Sequence, residues 1–269
     1  MFGLMRFLES SDSKALRERR EEEYRERRMK LAVTWDPAMP YSDRLNIKAD
    51  TYSPLNIFPE VKPSGHRHDK AGAEQRAVSP SSNWLYVNKQ LDRGTELDTI
   101  YSGKVGDVLF DDPIIVPCLF QKASHRHDDC GGWRVNPFMS MTPMEYFSLR
   151  PGTRLAKGHT VIAGMGLGHQ LIEVAKRKKV KEITLVEKSQ ELVDWLLPRI
   201  MEHVSGRPAL NVIVGDANDV LPTLEADVAL IDIWDSYGGN EFRHKTPGIG
   251  KVWCWGAPSV PDSGRGYYW

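Results

Sequence analysis

From His159 onward the chain alternates between two textures. Short unbroken apolar runs, HTVIAG (159–164), EITLVE (182–187), NVIVG (211–215), DVALID (227–232) and KVWCW (251–255), are separated by segments of helical periodicity. HQLIEVAKR (169–177) is one such segment. In SQELVDWLLPRIMEHV (189–204), Leu192, Leu196 and Ile200 fall at i, i+4 and i+8, with Ser189 in place as N-cap. A strand buried on both faces needs an unbroken apolar run, and strands alternating with helices make a parallel sheet covered on both sides. The pattern predicts an α/β class: a Rossmann-like, doubly wound, mostly parallel sheet.

Upstream the texture differs. Residues 14–30 (KALRERREEEYRERRMK) are mostly charged, with Glu21–Arg25 and Glu23–Arg27 at i,i+4. No apolar heptad is present, so a solvated helical extension is favoured over a coiled coil or an RNA-binding arm. Residues 31–82 carry recurrent prolines and little periodicity, which reads as irregular structure wrapping or tethering the remainder. LDTIYSGKVGDVLF (97–110) and IIVPCLF (114–120) are β-branched and aromatic, and predict strands with a hairpin turn near Asp111–Pro113. MSMTPMEYFSL (139–149) reads as a strand end passing into a helix. The expected organisation is therefore a charged helical extension (1–35), an irregular Pro-rich linker (36–82), a small β-rich segment (83–150) and a Rossmann-like domain (151–269).

Composition adds exclusions. The 269 residues contain 36 Lys+Arg and 36 Asp+Glu, for zero net charge, and neither half of the chain is biased. That argues against a protein built mainly to grip nucleic acid or anionic lipid. No apolar run reaches the ~20 residues of a membrane helix, and MFGLMRFL is too short for a signal peptide. Cys118, Cys130 and Cys254 are odd in number and lack metal-finger spacing, which fits a reducing, cytoplasmic setting. The tetrapeptide HRHD at 66–69 and 125–128 is read as solvated loop in preference to a metal site. The basic cluster Lys176–Lys179 is read as complementing a helix C-terminus.

The candidate chemistry lies at the strand ends. Gly164, Gly166 and Gly168 stand where the first strand turns into a helix; glycine permits that turn and lets a ligand approach the backbone. A dinucleotide fingerprint would need Gly or Ala at 169, where His169 stands, so a nicotinamide cofactor is disfavoured. Glu187 closes the second strand and is placed to accept from ribose hydroxyls. Asp216 and Ala217 follow the third strand, and Asp232 and Asp235 follow the fourth. Successive strand ends line one edge of an open α/β sheet, where ligands bind.

The ordered set VIAGMGLG, LVE, VGDA and ALIDIWD resembles the nucleoside-binding motifs of the class I S-adenosylmethionine-dependent methyltransferases, in particular their spermidine-synthase-like branch. The match covers residues 158–236. It implies S-adenosylmethionine as cofactor, with Gly164, Gly166 and Gly168 under its methionine part, Glu187 on the ribose, Asp216 and Ala217 at the adenine, and Asp232 with Asp235 beside the reacting centre. It implies methyl transfer to a small molecule or protein. Aminopropyl transfer and a non-catalytic binding or scaffold role are the alternatives. Two positions depart from the pattern. Ile162 stands where methyltransferases carry an acid, and Leu167 where aminopropyl transferases do. After the fifth strand too little sequence follows for a full seven-stranded sheet. Strands at about 95–120, a second copy of the chain in a homo-oligomer, or a trimmed fold are the three ways left open.

Overall fold

The computed structural model describes residues 11–101, 104–125, 127, 129–206, 208–233 and 246–255. Helix α1 (Ser11–Met29) is mostly charged and exposed, with i,i+4 pairs such as Arg19–Glu23 at 3.1 Å. Its last turn is anchored. Arg28 is buried and donates to Asn46 and Asp107, while Arg93 makes a two-pronged contact with Glu26 at 2.9 and 3.0 Å.

Residues 36–82 are irregular, as their prolines predict, yet they are no free linker. They provide β1 (Arg44–Ile47) and β2 (Ala77–Val78), and they bury Ile47, Tyr52, Ile57, Phe58 and Val61 in the main core. Prolines and polar residues break the periodicity that would have announced these anchors.

Strands β3 (Trp84–Leu91), β4 (Leu97–Tyr101), β5 (Lys104–Phe110) and β6 (Ile114–Gln121) follow. After them come a two-residue pair, β7 (Asp129–Cys130) with β8 (Trp133–Arg134), and then β9 (Met139–Ser140). Apart from the β7–β8 pair, they join β1 and β2 in two small sheets, ordered β1-β5-β4 and β2-β3-β6-β9. The expected β5–β6 hairpin is therefore wrong. Asp111–Pro113 carries the chain from one sheet to the other, because Asp111 is drawn to the first sheet: its amide donates to Ile47 and its carboxylate accepts from Ala49 N–H. Hairpin pairing belongs to β4 with β5.

Helix α2 (Pro143–Leu155) opens with Pro at N1 and packs on β4, α3 and β13. At Gly152 it lies against the Trp253 ring, which any Cβ there would overlap. The remainder is β10 (Gly158–Ala163), α3 (His169–Ala175), β11 (Val180–Glu187), α4 (Gln190–Met201), β12 (Ala209–Val214), α5 (Ala217–Val220), β13 (Ala226–Ile231) and β14 (Ile249–Cys254).

These five strands form one sheet, ordered β12-β11-β10-β13-β14 and parallel throughout. The fold is α/β and Rossmann-like, as the apolar runs predict. Ser189 caps α4 by accepting from Leu192 N–H at 3.2 Å, and Leu192, Leu196 and Ile200 are buried beneath that helix. The strands at 95–120 do not extend this sheet; they pair only within their own smaller ones. Strand order reverses between β10 and β13, and the crevice of an open α/β sheet lies at such a point, outside the carboxyl ends of the strands.

Candidate functional site

A cavity of about 800 Å³ opens at that crevice. One wall is made by the ends of β10, β11, β12 and β13, which contribute Gly164, Gly166, Glu187, Asp216, Ala217 and Asp232. The facing wall comes from earlier in the chain, through Trp84, Phe138, Met139 and Glu145. Glu191 of α4 joins the two walls by accepting from Ser81 N–H and the Asn83 amide at 2.8 and 2.9 Å.

The glycine turn is tightly specified. Gly164 has φ +93°, and a Cβ there would overlap the carbonyl oxygen of Asp232. The close approach is fixed by two ladder bonds, Gly164 N–H to Val186 and Asp232 N–H to Ala163, at 2.9 and 2.8 Å. Gly166 has φ +50° and lies under the thioether of Met139, which also accepts from Leu167 N–H. Gly168 does not line the cavity. At φ +83° it precedes α3 and lets that helix pack on Ile200.

Glu187 is buried and bridges two segments. One oxygen accepts from Met165 N–H in the glycine loop and the other from Ser189 N–H, both at 2.9 Å. Each carboxylate oxygen offers two lone pairs, so each keeps one acceptor position unfilled among the described residues. Asp216 accepts twice on one oxygen, from the backbone and side-chain nitrogens of Asn218, and once on the other, from Lys188 at 2.8 Å. Lys188, with Asn218, holds the Asp216 carboxyl down at about 2. The Lys188 side chain is 78% exposed.

Asp232 faces a partner that the sequence motifs do not contain. Glu145, in the first turn of α2, is buried and lines the same cavity. Burial drives the Glu145 carboxyl well above the usual carboxylate range, and the charge of Asp232 pushes it further. Burial raises Asp232 as well. Two carboxyls in one low-dielectric space hold on to a proton that either would lose in water. Asp235, the other acid expected here, lies outside the described residues, as does Trp234.

Beside the glycine turn, one further group, Gln170, escaped the motif reading, and it follows the His169 that breaks the dinucleotide pattern. His169 is buried edge-on to Tyr146, with ring centroids 4.5 Å apart, and burial brings it down to about 4, leaving the ring neutral. Gln170, next along α3, is buried and lines the cavity. The available signal was a polar or acidic residue inside an apolar stretch: Glu145 in MTPMEYFSL and Gln170 in GHQLIEVA. No group of three or more metal-ligating side chains is assembled among the described residues, and no helix among them is long and apolar enough to cross a membrane. Cys118, Cys130 and Cys254 are buried, and none of them is in a disulfide.

No protein-family profile matches the chain, and no curated protein matches it. Solved structures do. A precorrin 8W decarboxylase of Methanobacterium thermoautotrophicum is 21% identical, over 38% of this chain and 57% of its own length, with TM-score 0.28. A SAM-dependent methyltransferase from Thiobacillus denitrificans, in complex with S-adenosyl-L-homocysteine, is 23% identical over 42% of this chain and 48% of its own, with TM-score 0.31. The spermidine synthase from Thermotoga maritima is 15% identical over 56% and 59%, with TM-score 0.32. The chain thus spans less than two thirds of each of these proteins.

Proposed function

We propose that this chain binds S-adenosylmethionine at the β10–β13 crevice and transfers its methyl group to a small molecule or protein. The observation that carries the reading is the placement of Glu187. It stands at the end of the strand beside the glycine turn, buried, with one acceptor position on each oxygen unfilled among the described residues. Two vicinal hydroxyls of a ribose are the natural donors for such a pair. A cavity of about 800 Å³ is within the usual range for cofactor sites of ~300–1,000 Å³.

In this reading Gly164 and Gly166 run beneath the methionine part of the cofactor, and Asp216 with Ala217 meets the adenine. The oxygen of Asp216 that Lys188 occupies has room for one more donor, which an adenine amino group supplies. The cofactor supplies a methyl group activated on a sulfonium. The chain's own part is to align the acceptor and to take up its proton, and Asp232 with Glu145 serves the second task. A base is most effective when its affinity for a proton is near the working pH, and a carboxyl raised by burial meets that need better than an exposed one.

That same acid pair favours a second reading, aminopropyl transfer, because an amine acceptor must lose a proton. Leu167 opposes it, since it leaves an apolar side chain where aminopropyl transferases carry an acid. A chain that binds the cofactor without catalysis is the third reading.

Calorimetric titration with S-adenosylmethionine, its decarboxylated form, S-adenosylhomocysteine and NAD separates these readings. Methyl transfer predicts that S-adenosylmethionine binds better than the decarboxylated form and that NAD does not bind. Asp216→Ala is expected to weaken binding about tenfold, as loss of one good hydrogen bond does. Failure of every adenosyl compound to bind would refute the proposal.

A further inference from the structure

Gln170 is 5% exposed, faces the cavity, and has no hydrogen-bond partner among the described residues for either its amide oxygen or its amide nitrogen. A buried amide with both ends unsatisfied is a costly arrangement. Such an amide calls for a group that completes it, and a ligand in the cavity it lines supplies one. Its neighbours are mostly apolar: Leu171 and Ile172 are buried in the core, and His169 is a neutral ring against Tyr146. An apolar side chain would serve packing alone better than glutamine does.

Position matters as much as orphaned polarity. Gln170 lies two residues past Gly168, in the first turn of α3, so it stands at the glycine-turn end of the cavity. Glu145 lines the same cavity, and burial raises its carboxyl well above the usual carboxylate range. A carboxamide is one of the few side chains that offers a donor and an acceptor side by side, and the matching ligand must present an acceptor and a donor in the same way.

We infer that Gln170 is the residue that grips the amino-acid end of the cofactor, its NH₂ donating to the α-carboxylate and its oxygen accepting from the α-ammonium. This rests on the S-adenosylmethionine reading above and deepens it by assigning the choice between a carboxylated and a decarboxylated donor to one side chain. The decarboxylated compound keeps the ammonium and lacks the carboxylate, so it satisfies half of the amide and leaves the NH₂ buried and unpaired. Sites built to hydrogen-bond a polar group reject analogues that lack it, because the site's own polar atoms are then stranded.

The test compares wild type with Gln170→Leu and Gln170→Met, both close in volume and apolar. Each is expected to leave the ligand-free protein as stable as wild type or more so, since a stranded amide is removed. Each is expected to weaken S-adenosylmethionine binding by about tenfold or more while weakening the decarboxylated compound less, so that the preference between them collapses. A preference unchanged in both variants would overturn the assignment, as would variants less stable than wild type with ligand preference intact, which would mark Gln170 as a packing residue. If wild type bound none of the adenosyl compounds, the parent reading would fall along with it. If wild type bound S-adenosylmethionine and only the variants disagreed, the Gln170 assignment alone would fall.

Discussion

Replacing Gly164 with alanine is expected to destabilise the chain by about 3 kcal/mol and to abolish ligand binding at the crevice. Two independent costs add. A non-glycine residue at φ +93° costs roughly 1–2 kcal/mol, and forcing an extra carbon into a closed space costs roughly 1–3 kcal/mol more. The second cost falls on backbone, because the new Cβ meets the Asp232 carbonyl. Relief would require β10 and β13 to part at the point where both line the cavity. Gly168→Ala provides a comparison: there the obstacle is the flexible side chain of Ile200, so a smaller loss and retained binding are expected. Urea denaturation with an unchanged m-value measures both. A Gly164→Ala loss below about 1 kcal/mol would show that the turn is looser than its bonding implies.

The second large effect concerns the paired acids. Both carboxyls are raised in the folded state, so between the ordinary carboxyl range and those raised values the folded chain holds more protons than the unfolded one. Stability from this pair is therefore present at acid pH and is lost as pH rises above about 4. Glu145→Gln removes one ionisable partner and is expected to flatten that decline, making the variant more stable than wild type at pH 8 and closer to it at pH 5. Asp232→Asn should do the same. The double variant should gain less than the two single gains combined, with a coupling of about 1 kcal/mol, because the singles relieve the same repulsion. Denaturation midpoints across pH 5–8 give the result; a decline equally steep in wild type and Glu145→Gln would show that the two acids do not share their proton. Both variants should also slow transfer to an acceptor that must lose a proton, by about 10²–10⁴-fold if the pair is its base.

The parallel sheet was legible because its strands are buried on both faces and so appear as unbroken apolar runs. Their ends stood out because each apolar run closes on glycine or an acid, and Gly164, Glu187 and Asp216 do line one cavity. The first 130 residues were harder to read for a physical reason. Their anchors, among them Trp35, Tyr52 and Phe58, are single large side chains set in irregular backbone, and no periodicity reports them. The β5–β6 turn misled because Asp-Asp-Pro signals a turn without saying which strands it joins, and pairing was decided by the distant Ile47 and Ala49. The charged helix looked detached because its anchor, Arg28, is itself a charge, matched to Asp107 far along the chain. Glu145 and Gln170 stayed hidden for a related reason: a buried polar group is meaningful only when its partner, or its lack of one, is known.

The central claim is that the β10–β13 crevice holds the nucleoside of a sulfonium cofactor, with Glu187 on its ribose. A crystal structure of the full chain grown with S-adenosylhomocysteine tests it most directly. Both ribose hydroxyls are expected within hydrogen-bond distance of the two Glu187 oxygens, with the amino-acid end against Gln170. An adenosyl ligand seated elsewhere, for example in the apolar groove lined by Leu171, Met201 and Leu210, or a crevice without ligand at saturating concentration, would contradict it.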